Sequence, residues 1–433
     1  MVSLRYVILG QALGAALAPV AAHAQQVGEP LLDSTIPPSY DRGRNISVME
    51  RERPELDPLG IHVGGFTALP SVQFGLGETN NALLTQTERK DDGYVTVRPR
   101  LTVRSNWSVH ELRLDSGANL IRYFSNKVRN EDGWYLSGQG RYDATPDFSV
   151  TLSGRTSRQY ESRFSSVAII DARTPAPFQQ SNVRLLGKYE FAKSRVMVAA
   201  NYTRLNFMNV RLFSGTLIDQ DFRDRTITEG VVHAEHALTP DTSLYAEATY
   251  SNINYASDLR PGIPNRDSHE WKAMGGVSFD LAAPFRGSLA VGYIHRDFTE
   301  NRYQNVWGLS VAGKIEYFPT QLTTVTLNLK REIRDANILT SSAFLANVGS
   351  LRLDHELLRS LILSAEAEYQ VDDYFALPGT VKIFRSQAGG KYMLGRSIGL
   401  TADVRYSKRS STVPGINSNI SERRATIGII FQR

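Results

Sequence analysis

One pattern fills most of this chain: runs of about ten residues or more in which apolar and polar side chains alternate one by one. The clearest pair flanks Thr239-Pro240-Asp241. Before that turn Val232, Ala234 and Leu238 alternate with Val231, His233 and Glu235; after it Leu244, Ala246, Ala248 and Tyr250 alternate with Tyr245, Glu247, Thr249 and Ser251. A period of two means extended strands with one apolar and one polar face, and proline with aspartate suits a tight reversal between them. A lone hairpin is not stable in water, so the constraint lies in the repetition.

The alternation predicts 18 strands, near 66–76, 94–104, 110–124, 133–143, 147–159, 181–191, 195–208, 225–238, 242–255, 268–281, 286–298, 305–317, 322–335, 343–357, 361–373, 382–394, 398–409 and 420–433. Pro99 removes one ladder donor from the second strand, a departure that the pattern alone does not explain. The connections sort into two kinds. Short ones fall at 105–109, 144–146, 192–194, 239–241, 282–285, 319–321, 358–360 and 394–397, with longer polar ones between them, such as 160–180, 209–224, 256–267 and 410–419. Soluble sandwiches have no reason to sort loops in this way; membrane barrels do, with short turns inside and long loops outside. Aromatic residues on the apolar face gather near the short turns (Tyr142, Phe148, Phe191, Phe279, Tyr317, Tyr392) and near the long loops (Trp134, Tyr250, Trp271, Trp307, Tyr406), as two interfacial girdles would. The expected fold is all-β: a transmembrane antiparallel β-barrel of about 18 strands (16–18), with short periplasmic turns and long extracellular loops.

The N-terminus supports export. A charged start with Arg5, an apolar run from Val7 to Val20 and Ala22-His23-Ala24 read as a signal peptide over residues 1–24, too short and too broken by Pro19 to span a bilayer. Residues 25–60, with Pro30, Pro37, Pro38, Pro54 and Pro58, read as an extended or disordered periplasmic arm, and 61–433 as the barrel. The chain has no cysteine, which excludes disulfides and thiolate metal sites. Its net charge of +5, or +4 without Arg5, is too modest to argue for nucleic acid.

Two stretches carry a family resemblance. Arg53-Pro54-Glu55-Leu56-Asp57-Pro58-Leu59-Gly60-Ile61 runs into Val63-Gly64-Gly65-Phe66, and the second strand ends Leu101-Thr102-Val103-Arg104-Ser105-Asn106-Trp107-Ser108-Val109-His110. Over residues 42–433 the chain resembles the type 2 outer-membrane β-barrel porins of alphaproteobacteria. The resemblance implies a Gram-negative outer-membrane location, and a link to exopolysaccharide production.

If apolar faces meet lipid, the other face is the channel wall. The candidate pore-lining residues are Arg98, Arg100, Arg104, Arg113, Arg141, Arg155, Lys188, Glu247, Lys330, Glu366 and Glu368. A basic first third and an acidic later strand imply a field across the pore and a mild preference for anions, since arginine offers fork-shaped donors to carboxylates and phosphates. Two segments are candidates to narrow the lumen: the arm, and the loop 160–180 with its apolar Val167-Ala168-Ile169-Ile170. His233-Ala234-Glu235-His236 is no metal motif on a strand, because His233 and His236 face opposite ways. His269-Glu270 and Asp372-Asp373 are isolated, so no catalytic, metal or cofactor residue is assigned. The leading expectation is a passive channel for a polar or anionic solute or for exported exopolysaccharide; the alternative is a plugged barrel that binds envelope or polysaccharide-export partners. A barrel hydrolase is the third reading. The partners expected are outer-membrane lipid and the barrel-assembly machinery, and on the resemblance exopolysaccharide or its export system.

Overall fold

The computed structural model describes residues 40–433 apart from 170, 171, 175, 282, 283, 339, 415, 417 and 418. The expected signal peptide and the first part of the arm lie outside these residues, as do Ile170 and part of the 282–285 turn.

Among the described residues 18 strands form one closed antiparallel barrel. They are β1 Phe66–Thr79, β2 Asp92–Ser105, β3 Glu111–Tyr123, β4 Glu131–Thr145, β5 Phe148–Tyr160 and β6 Pro177–Phe191. Then come β7 Ser194–Phe207, β8 Arg225–Thr239, β9 Thr242–Tyr255, β10 Ser268–Asp280, β11 Phe285–Phe298 and β12 Val306–Thr320. The last six are β13 Thr323–Ile338, β14 Ser341–Leu358, β15 Leu361–Tyr374, β16 Thr380–Met393, β17 Ile398–Ser411 and β18 Ile420–Gln432. Each strand pairs with the next, and β18 returns to β1 from Ser71↔Gln432 to Thr79↔Arg424. Closure is what lipid demands, since an unpaired backbone group has no water there to satisfy it. No helix of the described residues is long and apolar enough to cross a membrane.

The two faces sort as the alternation predicts. On β8 and β9, Val232, Ala246, Ala248 and Tyr250 are exposed outward, while Val231, His233 and Glu247 are buried inside. Pro99 leaves a gap: β2 pairs with β3 at Val97↔Leu120 and again at Arg100↔Gly117 without losing register. The guanidinium of Arg98 fills part of this gap by donating from Nε to Asn119 Oδ1 at 3.0 Å.

The connections depart from the expected alternation at one place. At the long-loop end β13 and β14 are joined by residues 339 and 340 alone, with Ile338 paired to Ser341. These two strands are also longer than their neighbours, at 16 and 18 residues. β13 pairs with β12 only from Tyr317↔Val325 to Val311↔Arg331, apart from the turn pair Thr320↔Thr323. Beyond Arg331 the hairpin leaves the wall and bends over the lumen. Ile333, Ala343 and Leu345 pack with Ile294, Phe298 and Val306 from the inner face of β11 and β12. Ala336, Phe344 and Ala346 pack on the other side with Phe164 and Tyr374.

The described part of the arm lies inside the short-turn mouth. Arg42 N donates to Asp280 Oδ2 at 2.9 Å, Val48 N to Thr324 Oγ1 at 3.0 Å, and Arg53 Nη2 to Glu356 Oε2 at 2.7 Å. The arm meets the wall at Gly60, whose φ of +75° and whose place 2.6 Å from Thr67 Cγ2, measured from where a Cβ would stand, leave no room for a side chain. Ile61–Val63 then pairs back onto Phe66–Ala68.

Candidate functional site in the barrel lumen

Inward residues of adjacent strands stand side by side, so closure decides which charges share water. β2 and β15 are far apart in sequence, yet only β16, β17, β18 and β1 separate them around the ring. Their side chains line one cavity of about 410 Å³ between the wall and arm residues 49–58: Arg98, Arg100 and Arg104 from β2, Glu366 from β15, Lys391 from β16 and Arg405 from β17. A second cavity of about 140 Å³ lies toward the long loops and is bounded by Tyr94, Glu368, Arg385 and the loop residues Glu161 to Phe164. Arg98, Glu366, Gln387 and Arg405 border both, so the two spaces meet at that group. The basic and acidic strands therefore share one side of the lumen instead of facing each other across it. Sequence order hides this because the ring closes between them.

Five of the predicted wall residues come together here: Arg98, Arg100, Arg104, Glu366 and Glu368. The acidic pair is neutralised locally, as Glu368 accepts from Arg385 and Glu366 accepts from Gln387 Nε2 at 2.9 Å with Arg352 Nη1 at 3.7 Å. By contrast Arg98, Arg100, Arg104 and Lys391 have no carboxylate within ion-pair distance among the described residues. Arg98 stands within electrostatic reach of Arg405, Arg100 and one carboxylate, Asp403, which lies 3.2 Å from Arg405; Lys391 stands within reach of Asp57 as well as of Arg53 and Arg100. Like charges held this close in a confined space favour a mobile counter-anion.

The other candidates line neither cavity. Arg113 Nε is bound to Asp115 Oδ2 at 2.7 Å, Arg141 lies 3.2 Å from Glu111 and 3.1 Å from Asp143, Lys188 lies 3.4 Å from Glu190, and Lys330 3.4 Å from Glu332. Arg155 sits 4.6 Å from the centre of the Tyr135 ring. Glu247 is inward but sealed, with its Oε2 3.1 Å from Nδ1 of the fully buried His233, which stacks on Tyr245. His236 is exposed on the outer face, 2.8 Å from Ser194 Oγ.

Two segments narrow the lumen. The loop after β5 turns inward: Phe164 is buried, Ser166 Oγ donates to Asp372, Tyr374 donates to the Ser166 carbonyl at 3.0 Å, and Arg409 holds the carbonyls of Arg163 and Ser165. Of the apolar stretch noted in the sequence, Val167 packs against this cluster and Ile169 against a separate one of Ala172, Ala176 and Val210. At the other mouth the arm is anchored by Arg286, a buried guanidinium lying 2.5 Å from both Glu50 and Glu316. Burial pushes the Glu50 carboxyl up, but the hydrogen bond and charge of Arg286 outweigh it and hold the carboxyl below its ordinary range. Burial pushes the Tyr40 phenol up, the nearby Lys314 opposing it.

Sequence reasoning missed Arg385, Lys391 and Arg405, although each sits at an inward position of its alternating strand. It also missed a group of buried arginines behind the inward loop, Arg225, Arg266 and Arg296, which border a third cavity of about 160 Å³. Arg225 opens β8 and Arg266 lies in the loop before β10, where alternation gives no signal.

Comparison with curated protein sequences finds no match. Among solved structures the chain is similar to the outer membrane protein OpdK of Pseudomonas aeruginosa, with 10% identity, 84% of this chain and 99% of that one covered, and a TM-score of 0.41. It is also similar to Pseudomonas aeruginosa OccK2 (OpdF) in complex with glucuronate, at 11%, 85%, 98% and 0.45, and to the siderophore receptor PirA of Acinetobacter baumannii, at 9%, 84%, 80% and 0.44. The family model described as "Putative beta-barrel porin 2" matches residues 53–433, and the chain, an outer-membrane β-barrel, belongs to that family.

Proposed function

We propose that the protein is a passive outer-membrane channel that passes small polar solutes and prefers anions. The observation that carries this reading is the junction of the two cavities at Arg98, Glu366, Gln387 and Arg405. A solute entering beside the arm meets Arg98, Arg100, Arg104 and Lys391 before it reaches the narrower outer space. Arginine forks bind carboxylates and phosphates by paired hydrogen bonds, and residual positive charge in a low-dielectric passage raises the local anion concentration. Passage of exopolysaccharide would require the inward loop and the arm to leave the lumen together, so a small solute suits this arrangement better. Export through a signal peptide at residues 1–24 and insertion by the barrel-assembly machinery complete the reading.

The test is reversal potential in a planar bilayer under a potassium chloride gradient. The expected sign is that of an anion-preferring pore, moving toward neutrality in the Arg98→Gln/Arg100→Gln double variant. Cation preference in the unaltered protein would overturn the proposal, and so would the complete absence of conductance, which is the behaviour of a plugged interaction barrel.

A further inference from the structure

The hairpin that bends over the lumen is held by a socket of three arginines. Asp335 Oδ1 lies 2.5 Å from Arg296 Nη1 and its Oδ2 lies 3.0 Å from Arg225 Nη2. Arg266 donates to the carbonyls of Ala336 and Ile338. All three guanidinium groups are buried, and Nε of Arg225 and Nε of Arg266 have no hydrogen-bond partner. Glu270 is the other carboxylate in contact, 2.6 Å from Arg296. Three cations thus meet two anions, and one of the anions belongs to a segment that has left the barrel wall.

The place that segment left is still open. β12 begins at Val306, but its ladder with β13 stops at Val311, where Ser310 Oγ still donates to the Arg331 carbonyl at 3.2 Å, so the β13-facing edge of residues 306–309 has no strand paired with it. Continuing the same register would set Leu309 opposite Ile333 and Val306 opposite Ala336. Asp335 would then stand beside Trp307 in the outer aromatic girdle, at headgroup level, where an acidic side chain is inexpensive. Leu309 and Trp307 are already exposed outward, at 64% and 60%. A free strand edge with a matching strand bent away from it is a two-state element.

We propose that Arg225, Arg266 and Arg296 form a binding site for a carboxylate-bearing solute, occupied in this conformation by the chain's own Asp335, and that a solute carboxylate which takes the socket releases the β13–β14 hairpin to re-pair with β12. The chemistry is an exchange of one carboxylate for another on the same paired donors. The occupant argues for the ligand class, because the donors are spaced for the two oxygens of a carboxylate. Solute binding and hairpin release are linked, since the solute binds only the released state. This rests on the channel reading for its purpose but not for its measurement.

The absence of cysteine permits a direct test on the full chain in lipid vesicles. Ile333→Cys paired with Ile294→Cys reports the bent hairpin, as both residues lie in one buried cluster; Ile333→Cys paired with Leu309→Cys reports the re-paired one. Acetate is the probe, against chloride at equal ionic strength. Acetate is expected to slow disulfide formation in the first pair and speed it in the second by about fivefold or more, and Asp335→Asn is expected to do the same without acetate. In the unsubstituted protein, acetate should slow amide exchange at alternate residues of Val306–Ser310, those whose N–H points away from β11, because re-pairing gives those amides partners. Unchanged rates with acetate, an equal effect of chloride, or no cross-link to position 309 under any condition would each overturn the proposal. A barrel that responds to acetate in this way but conducts nothing would refute the channel reading alone.

Discussion

Substituting Ala248 with arginine tests which face of the sheet meets lipid. Ala248 lies six residues from the start of β9, between Val232 and Ala273 on the neighbouring strands, and all three point outward. At about 3.4 Å per residue and about 40° of tilt, that places it roughly 15 Å along the membrane normal from the short-turn end. An arginine side chain reaches about half that distance, so its charge cannot snorkel to water. The cost for a lipid-facing arginine near the midplane is about 2–4 kcal/mol, which is roughly a 30- to 700-fold shift in the folding equilibrium. Gln139→Arg is the control, because Gln139 is inward and exposed to lumen water beside Arg113 and Ser153. Glu247, inward by alternation, is a poor control, since it is sealed against His233. Folded fraction is read from the mobility difference between heated and unheated samples on gels, and stability from urea titration in detergent. Ala248→Arg should lose stability by the stated amount and Gln139→Arg should stay within about 1 kcal/mol of the parent. Equal losses in both would refute the inside-out assignment.

Arg286→Met should destabilise the barrel by about 1.5–3 kcal/mol, because it removes the charge-assisted hydrogen bond to the buried Glu316 and leaves that carboxylate with Lys314 at 3.2 Å, and Arg286→Met/Glu316→Gln should recover part of the loss in urea titration. Glu50 has a lowered folded-state pKa, so its contribution to arm docking is present above the ordinary value of 4.5 and is lost as pH falls through the lower folded value; proteolysis of the arm should rise only in that acid range. Phe164→Ala removes a buried ring from the cluster that holds the loop inward, at a cost of about 3–5 kcal/mol, and should raise single-channel conductance; an unchanged conductance would show that the loop does not limit flow. Deleting residues 25–60 should likewise raise conductance if the arm obstructs the mouth.

The strands were legible because lipid and lumen impose opposite chemistry on successive residues, so each run carries its own orientation. Pro146, Pro240, Pro284 and Pro319 marked the short-turn rim for a similar local reason. What alternation cannot encode is anything decided across the ring. Glu247 and Arg98 look alike as inward charges, yet one is sealed under His233 and the other lines open space, and only the filling of the lumen separates them. The meeting of β2 with β15 depends on closure, not on distance along the chain. The hairpin did leave a trace: after Arg331, the run Glu332-Ile333-Arg334-Asp335-Ala336-Asn337 puts a charge on both faces, which a strand tolerates at headgroup level or over the lumen but not beside hydrocarbon. That failure of alternation marks a strand end that does not lie beside hydrocarbon in either position. Asp335, the residue out of phase, is also the one that the three arginines hold.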